Sequence, residues 1–468
     1  MNYLITHSKK LLSLVLVLAL ITSCKDYQDL DVEPVDTGDA DFSSYVAVGN
    51  SLTAGFQNNA LYQSGQQYSF PNLIARQVNQ SESFDQPLIS DPGISSGNGR
   101  IELTNLDPVQ TTTNSSMGNP TTQQAKPFTN LGVPGAVLVD YINPNNSGNL
   151  KERATDPNNP AYNPFYGIVM EQSELGKDEP NLHNQVAKQQ PSFITFWLGN
   201  NDVLGFVTSG GEGQTITPPS TFSDLYAGPS NGAYPGAIQA MASTGANVVV
   251  YTIPDITTIP YVFYLRTQLE QQGAIVFNDE TQSYQLVTQQ GNLDIYIETD
   301  DGARVMRQAD FPLLSAQSYF AQVQAGETQP PVQPQTAIPD NLVLDGPAGG
   351  PQGSSELEQA AGAIQQYNAT IENSAASAGF TVVDINQIFA EIFNAFQSSG
   401  GENGYQTNGL NLRPVPGELF SFDGVHPTNR GSAVIANETI KAINEAYGAN
   451  IDQINVAKIP EGFPVASN

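Results

Sequence analysis

The chain has 468 residues, of which 39% are hydrophobic, so it can bury the core of one large domain or of two ordinary ones. Its 46 acidic and 17 basic residues give a formal net charge of −29, which argues against a nucleic-acid partner and against a polybasic contact with an anionic membrane. The single cysteine excludes an intrachain disulfide, and with only three histidines we expect no metal site built from cysteine or clustered histidine. These counts do not exclude a calcium site built from oxygen ligands, although no segment has the spacing of a calcium-binding loop.

The first 23 residues predict a secretory signal. Lys9 and Lys10 precede the apolar stretch 11–21, which is too short for the ~20 residues of a membrane span. The run Ile-Thr-Ser-Cys that ends at Cys24 resembles the lipobox of bacterial lipoproteins, in which the cysteine becomes the acylated first residue. This resemblance implies lipidation at Cys24 and a membrane-anchored lipoprotein of the outer membrane or cell surface. The alternative is an ordinary secretory signal with an incidental cysteine.

Residues 24–42 are polar and acidic and predict a flexible tether. After them, short apolar runs alternate with helical patterns, which is typical of a parallel α/β sheet. The runs that we predict as strands are Tyr45–Val48, Phe128–Leu131, Phe193–Leu198, Asn247–Ile253 and Phe380–Ile385.

Two helices are clearly indicated. One begins with a capping box at Ser355 and Glu358. Its apolar residues recur at helical spacing and predict one buried face, formed by Leu357, Ala361, Ile364, Ile371, Ala375 and Ala378. The other helix follows residues 426–428, and its predicted buried face consists of Ala433, Ala436, Ile440, Ile443 and Tyr447.

Long segments rich in Gly, Pro, Asn and Gln lie between these elements, at 79–126, 143–190 and 205–235. The largest insert spans about 266–350, and the alternation of Leu293, Ile295 and Ile297 before a turn at 300–302 predicts a small β-rich unit. Because the insert leaves the core near the carboxyl end of a strand, we expect it to cover the pocket, with a surface decoration as the alternative. Residues 459–468 are a C-terminal tail.

Two motifs place candidate site residues directly after predicted strands. Ser51, in the run Gly-Asn-Ser-Leu, follows the first strand at a turn into a helix, where its hydroxyl would be exposed and its backbone N–H could meet an oxyanion. Gly135 follows the second strand, and without a Cβ it can turn its amide toward the same place. Each motif alone also fits an ordinary helix-capping serine or turn glycine.

Two further motifs add an amide and an acid–base pair. Asn201 follows the third strand and has a side-chain N–H to offer an oxyanion, although a plain polar turn would look the same. Asp423 precedes His426 by three residues, so the carboxylate can accept from the imidazole Nδ1–H and leave Nε2 free to take a serine proton.

Together, in identity and order, the four motifs resemble the SGNH (GDSL) hydrolase family. The resemblance covers residues 43–458 and implies a flavodoxin-like three-layer α/β/α fold with a five-stranded parallel sheet and no cofactor. It further implies a catalytic triad of Ser51, Asp423 and His426, and an oxyanion hole formed by Ser51, Gly135 and Asn201. One departure is visible, since Asn50 stands where the family usually has aspartate.

The resemblance implies an ester hydrolase of the lipase or esterase type that acts on a small-molecule, glycan or lipid ester. The alternative is an inactive lipoprotein on the same scaffold that binds carbohydrate or lipid. The intact Ser51, Asn201, Asp423 and His426 argue against that alternative, and the histidine and cysteine counts argue against a metallohydrolase.

Overall fold

The protein is described by a computed structural model that covers residues 35–466 except 96, 98, 107–108, 123–124, 144–145, 147, 225–233 and 348–354. The predicted signal, Cys24 and most of the tether therefore lie outside the described residues. The described residues from 37 onward form one compact unit. Within the described part of the chain, none of the helices combines the length and the apolar character needed to cross a bilayer.

The strands are short, and most belong to two- or three-stranded antiparallel sheets outside the central sheet. In chain order they are Tyr45–Gly49 (β1), Ala60–Leu61 (β2), Ile94–Ser95 (β3), Arg100–Leu106 (β4), Val109–Asn114 (β5), Asn130–Gly132 (β6), Phe193–Trp197 (β7), Asn247–Tyr251 (β8), Ile275–Asn278 (β9), Ser283–Thr288 (β10), Gly291–Asp294 (β11), Tyr296–Ile297 (β12), Arg304–Val305 (β13), Phe311–Pro312 (β14), Val343–Leu344 (β15), Thr381–Val383 (β16), Tyr405–Thr407 (β17) and Leu410–Leu412 (β18).

The helices range from one turn to 23 residues. They are Ser51–Ala54 (α1), Gln63–Gln66 (α2), Phe70–Gln77 (α3), Leu150–Thr155 (α4), Pro164–Val169 (α5), Gln172–Leu175 (α6), Leu182–Ala187 (α7), Asn201–Thr208 (α8), Pro219–Phe222 (α9), Tyr234–Ala242 (α10), Pro260–Gln271 (α11), Gln317–Ala325 (α12), Glu356–Ala378 (α13), Ile385–Ser398 (α14) and Asn429–Tyr447 (α15).

A parallel five-stranded sheet in the order β16-β8-β7-β1-β6 forms the centre of the fold. The five predicted strands are those of this sheet, each within a few residues of its predicted bounds. Numbered along the chain the order is 2-1-3-4-5, the flavodoxin-like doubly wound arrangement, so the predicted fold class is confirmed. Every residue of β1 and β7 is buried, which explains why both read as uninterrupted apolar runs.

Helices flank the sheet in two groups, with α3 packed on α15 and with α8 and α10 packed on α13. The predicted face of α15 is buried at its four aliphatic positions, and only Tyr447 is half-exposed. The N-cap of α13 is as predicted, because the Ser355 hydroxyl accepts from the Glu358 N–H.

The predicted buried face of α13 is partly wrong. Leu357, Ala361 and Ala378 are only half-buried, whereas Tyr367 and Asn368 are buried. The buried polar residues have partners that an apolar pattern does not reveal. The Tyr367 hydroxyl donates to the carbonyl of Thr217, and the Asn368 amide bonds both the N–H and the carbonyl of Ile253, at 2.7 and 2.8 Å.

The segments predicted as long loops contain more regular structure than their composition indicates. Segment 79–126 holds β3 and the β4–β5 hairpin, and segment 143–190 holds the four helices α4 to α7. Each of these elements is short, and turn-forming residues dominate the connections between them, so periodicity has too few residues to reveal them.

The insert forms a small β-rich unit with a core of its own. Helix α11 runs across the expected start at about 266, and the antiparallel strands β9, β10 and β11 follow it. Ile295 and Ile297 are fully buried with Ile275 and Phe320 in this core, but Leu293 is exposed. The predicted alternation thus belongs to two strands rather than one, because the chain leaves β11 at residue 294 and enters β12 at residue 296. The predicted turn joins β12 to β13.

Candidate active site

Ser51 lies at the carboxyl end of β1, as the first residue of α1. Gly49 makes this close turn feasible, because a Cβ there would come within 2.9 Å of the Trp197 carbonyl oxygen. The side chain of Asn50 caps α1 by accepting from the Leu52 N–H at 3.0 Å, and its amide donates to Asn200 at 2.9 Å. Asn50 therefore keeps the capping role that an aspartate would have and adds a donor, so its departure from the family motif leaves the turn intact.

His426 is held by Asp423. The imidazole Nδ1 lies 3.0 Å from Asp423 Oδ2, and Asp423 Oδ1 also accepts from the backbone N–H of His426 at 2.9 Å. The Asn59 N–H donates to Oδ2 at 2.9 Å, so the carboxylate is bonded on both oxygens. Burial alone would raise the pKa of Asp423, but the imidazole charge and these hydrogen bonds outweigh it and lower the pKa to about 2. Asp423 thus stays ionised, and of the two ring nitrogens it engages Nδ1 rather than Nε2.

A hydrogen bond from Asn201 holds the loop that carries Gly135 against the start of α8. Gly135 follows β6 with a φ of 80°, a left-handed conformation that glycine adopts without strain. Asn201 begins α8 after β7, and its Nδ2 donates to the carbonyl oxygen of Ala136 at 2.8 Å. On the other side of Gly135, the Asn163 amide donates to the Pro134 carbonyl at 2.6 Å. The peptide that carries the Gly135 amide is therefore anchored on both sides.

Two buried carboxylates support the same loop. Asp202 accepts from the Leu138 N–H at 2.9 Å, and burial raises its pKa to about 6. Asp140 accepts from the Val137 N–H at 2.9 Å. Burial raises the pKa of Asp140, but the Arg153 guanidinium opposes that shift and forms a salt bridge with the carboxylate.

Sequence reasoning missed the roles of Asp140, Arg153, Tyr166 and Asn163. Tyr166 is fully buried and donates its hydroxyl to Asp140, so these residues form one network under the Gly135 loop. The one signal along the chain was the isolated Asp140 in an apolar run, since a carboxylate in such a position needs a buried partner.

The site opens into two volumes that meet at Ser51, Asn201 and His426. The apolar cavity reaches into the core and is lined mainly by Trp197, Ile253, Ile256, Ile259, Phe389 and Phe420. The open groove lies on the side of Gly135, where the chain contributes Phe56, Arg153, Tyr162, Asn163, Phe165 and Gln214. Four of the five predicted site residues of the hydrolase domain thus line these volumes, and Asp423 lies behind His426.

The insert does not form the expected cover, since none of its described residues after α11 lines either volume. The insert lies against the Asp423–His426 loop instead. Its Leu314 side chain is so close to Gly424 that a Cβ on Gly424 would lie 2.8 Å from it. The walls come instead from shorter segments nearer the strand ends.

Three carboxylates outside both volumes meet in one place. Glu212, Asp300 and Asp340 each bring one oxygen within 4.8 Å of the others. Exposed acidic groups often gather without an ion, and no metal is assigned to them.

The chain matches the model of the GDSL-like lipase/acylhydrolase family over residues 45–307, which includes Ser51, Gly135 and Asn201 but not Asp423 or His426. No curated protein matches it. It is similar to the solved structure of an acetyl xylan esterase at 12% identity, covering 85% of this chain and 98% of that one with a TM-score of 0.32. It is also similar to an α/β hydrolase from the metagenome of Lake Arreo, Spain, at 10% identity, covering 86% and 96% with a TM-score of 0.34.

A third solved structure is described as a GDSL-like lipase from Parabacteroides merdae. It is 11% identical, and the match covers 88% of this chain and 99% of that one with a TM-score of 0.31. Scores this low carry no argument about substrate or mechanism. The match to the family model spans more than half of the sequence, as the four motifs predicted, and the chain therefore belongs to the GDSL-like lipase/acylhydrolase family.

Proposed function

We propose that the protein is a serine ester hydrolase that forms an acyl-enzyme on Ser51. The observation that carries the proposal is the 3.0 Å contact between Asp423 and His426 Nδ1, made where Ser51, Asn201 and His426 border the same cavity. A carboxylate on Nδ1 fixes the imidazole tautomer, so Nε2 can accept a proton from a neighbouring hydroxyl.

In the first half-reaction, His426 Nε2 takes the Ser51 proton while Oγ bonds to the ester carbonyl carbon. The negative charge that develops on the carbonyl oxygen would be met by the N–H groups of Ser51 and Gly135 and by the Asn201 amide. The intermediate collapses as the bond to the alcohol breaks, and the imidazolium gives its proton to the departing alkoxide. Asp423 stabilises the imidazolium throughout, because its low pKa keeps it anionic.

In the second half-reaction, a water molecule gives a proton to His426 and attacks the acyl carbon. The acid is released, and Ser51 recovers its proton from the imidazolium. Neither half-reaction changes an oxidation state. His426 accepts and returns the proton in each of them.

The nucleophile can be tested by replacing Ser51. We expect Ser51→Ala to fold normally but to lose hydrolysis of p-nitrophenyl esters and of acetylated polysaccharides, and a fluorophosphonate should label Ser51 alone. Ser432→Ala is the matched control, since Ser432 is equally buried on α15 but borders neither volume. Full activity in the Ser51 variant would contradict the mechanism. Absence of any hydrolysis by the wild type, with retained binding of a glycan or lipid, would favour the inactive scaffold.

We also propose that the mature protein is a lipoprotein anchored to a membrane through Cys24. The support is the sequence, in which Lys9 and Lys10, the apolar stretch 11–21 and the Ile-Thr-Ser-Cys run follow in the order of a lipoprotein signal. Several acyl chains on one residue would hold the protein stably where a single chain would not.

A further inference from the structure

We propose that the apolar cavity binds a short acyl chain of the ester and that the open groove binds a polar alcohol moiety. This inference rests on the proposed function, since it names the substrate class of the same site. Both volumes border Ser51 and His426, so each part of an ester bound at Ser51 has a separate space to enter.

The two volumes differ in the chemistry of their walls. The inner wall of the apolar cavity consists of the buried hydrocarbon side chains of Ile253, Ile256 and Phe420 and of Trp197, whose Nε1 is the one side-chain polar atom among these four. A polar group placed against the hydrocarbon part of this wall would lose its water without gaining a partner, whereas a methylene gains by leaving water. This cavity therefore selects hydrocarbon.

The open groove offers hydrogen-bonding groups instead. Arg153, Asn163 and Gln214 border it, and Tyr162 lies at its edge with 39% of its surface exposed. An alcohol that carries further hydroxyl groups can exchange its water for these side chains.

The walls of the two volumes differ in exposure, and this difference indicates which volume binds the acyl group and which binds the alcohol. The acyl group stays bonded to Ser51 after the first half-reaction, whereas the alcohol must leave and be replaced by water. A cavity walled mainly by buried side chains suits the part that stays, and a groove bordered by the exposed Pro160, Ala161 and Tyr162 suits the part that is exchanged. Leu52, Asn200 and Val425 at the mouth of the cavity are half-exposed, whereas the residues deeper in it are buried. An acyl chain bonded to Ser51 can therefore extend from the mouth into the core.

The size of the cavity limits the chain length. The free volume of the cavity is about 60 Å³, against about 460 Å³ for the groove. The cavity is thus the far smaller of the two spaces, and its buried end closes it to a long chain. We therefore expect short acyl esters to be preferred over long fatty acyl esters.

The test uses two substrate series with the purified protein. In the first, p-nitrophenyl esters run from acetate to decanoate. In the second, methyl acetate is compared with hexyl acetate, which lengthens only the alcohol. For the wild type, kcat/KM should rise by about fourfold per methylene over the short esters and fall again before decanoate. A profile that still rises at decanoate would overturn the size limit.

Two variants change the cavity in opposite directions. Ile256→Phe fills it and should lower the hexanoate-to-acetate ratio of kcat/KM by roughly tenfold. Phe389→Ala enlarges it and should move the preferred chain length up by at least two carbons. The matched controls are Ile275→Phe and Phe320→Ala, since both residues are similarly buried in the separate core of the insert. The controls should keep the wild-type profile.

The outcomes separate this inference from the proposed function. If both cavity variants change the hexyl-to-methyl acetate ratio and leave the acyl profile intact, the cavity binds the alcohol and the inference is wrong. If Ser51→Ala is inactive but both cavity variants keep the wild-type profiles, the hydrolase proposal stands and only the acyl assignment fails. Should Ile256→Phe not fold, Phe389→Ala still decides, because it acts by adding space.

Discussion

The Asn201 side chain donates from Nδ2 to the carbonyl oxygen of Ala136 at 2.8 Å, and this bond joins the end of β7 to the loop that carries Gly135. A carboxamide nitrogen has two hydrogens, so one can hold the loop while the other faces a substrate oxygen. The same bond fixes the direction of the Asn201 amide before any substrate arrives, which is the preorganisation that an oxyanion hole requires.

Removing this amide should slow the chemical step. We expect Asn201→Ala to lower kcat by roughly 10²–10³ with little change in KM, because a preorganised oxyanion donor acts mainly in the transition state. Asn200→Ala serves as the neighbouring comparison, since it removes the bond to Asn50 and alters the cavity mouth but takes away no proposed oxyanion donor, so kcat should fall far less. Steady-state kinetics on p-nitrophenyl butanoate checks both. A kcat close to that of the wild type would make Asn201 a loop-holding residue only.

Arg153 should be important for stability. Replacing it by methionine leaves the fully buried Asp140 without its cation, and breaking a buried pair on one side costs ~3–5 kcal/mol. Lys151→Met is the control, because Lys151 pairs with the fully exposed Asp178 and water screens such a pair, so its loss should change stability little. Urea unfolding followed by circular dichroism gives both values. Equal losses in the two variants would contradict the importance of the buried pair.

Glu356 should make stability depend on pH. Burial, together with the negative charges of Asp345 and Asp340, raises the pKa of Glu356 to about 8 from an ordinary 4.5. Its contribution to stability is therefore fully present below pH 4.5 and is lost as the pH rises through about 8. A glutamine stays neutral and can still accept from the Asp345 N–H, so the Tm of Glu356→Gln should exceed that of the wild type increasingly from pH 5 to pH 8.

The control for this pH effect is Glu372→Gln, on an exposed position of the same helix. It makes the same chemical change away from Asp345 and Asp340, so its Tm difference at each pH is the baseline against which that of Glu356→Gln is compared. A difference for Glu356→Gln that runs parallel to this baseline would mean that the glutamate keeps its ordinary titration in the folded protein.

The lipid anchor can be tested by metabolic labelling in a bacterial host. Wild-type protein should incorporate radioactive palmitate, and Cys24→Ser should incorporate none, because thioether acylation needs the sulfur. Mass spectrometry of the mature amino terminus should place the lipid on residue 24. A wild-type protein that carries no label but has a cleaved amino terminus would indicate an ordinary secretory signal instead.

The five strands of the sheet could be predicted from the sequence because parallel strands covered on both faces are apolar throughout. Runs such as Phe193–Trp197 stand out in a polar chain. Ser51, Gly135 and Asn201 are assigned to one site through the resemblance of their motifs to the hydrolase family, and their positions after strands agree with that assignment. Side chains that follow parallel strands meet at one edge of the sheet, so residues far apart along the chain can be assigned to one site without coordinates.

Only the tertiary structure decided which groups surround that site. The wall of the apolar cavity combines Ile256, Phe389 and Phe420 from three separate segments, and no local pattern records that they face one another. The same holds for the pairing of Asp140 with Arg153 and Tyr166, and for the buried Asn368 that made the predicted face of α13 partly wrong. The sequence by itself determined the family and the candidate chemistry, because these depend on residue type at strand ends. Cavity size, enclosure and buried charge depend on packing between distant segments, which only the folded chain specifies.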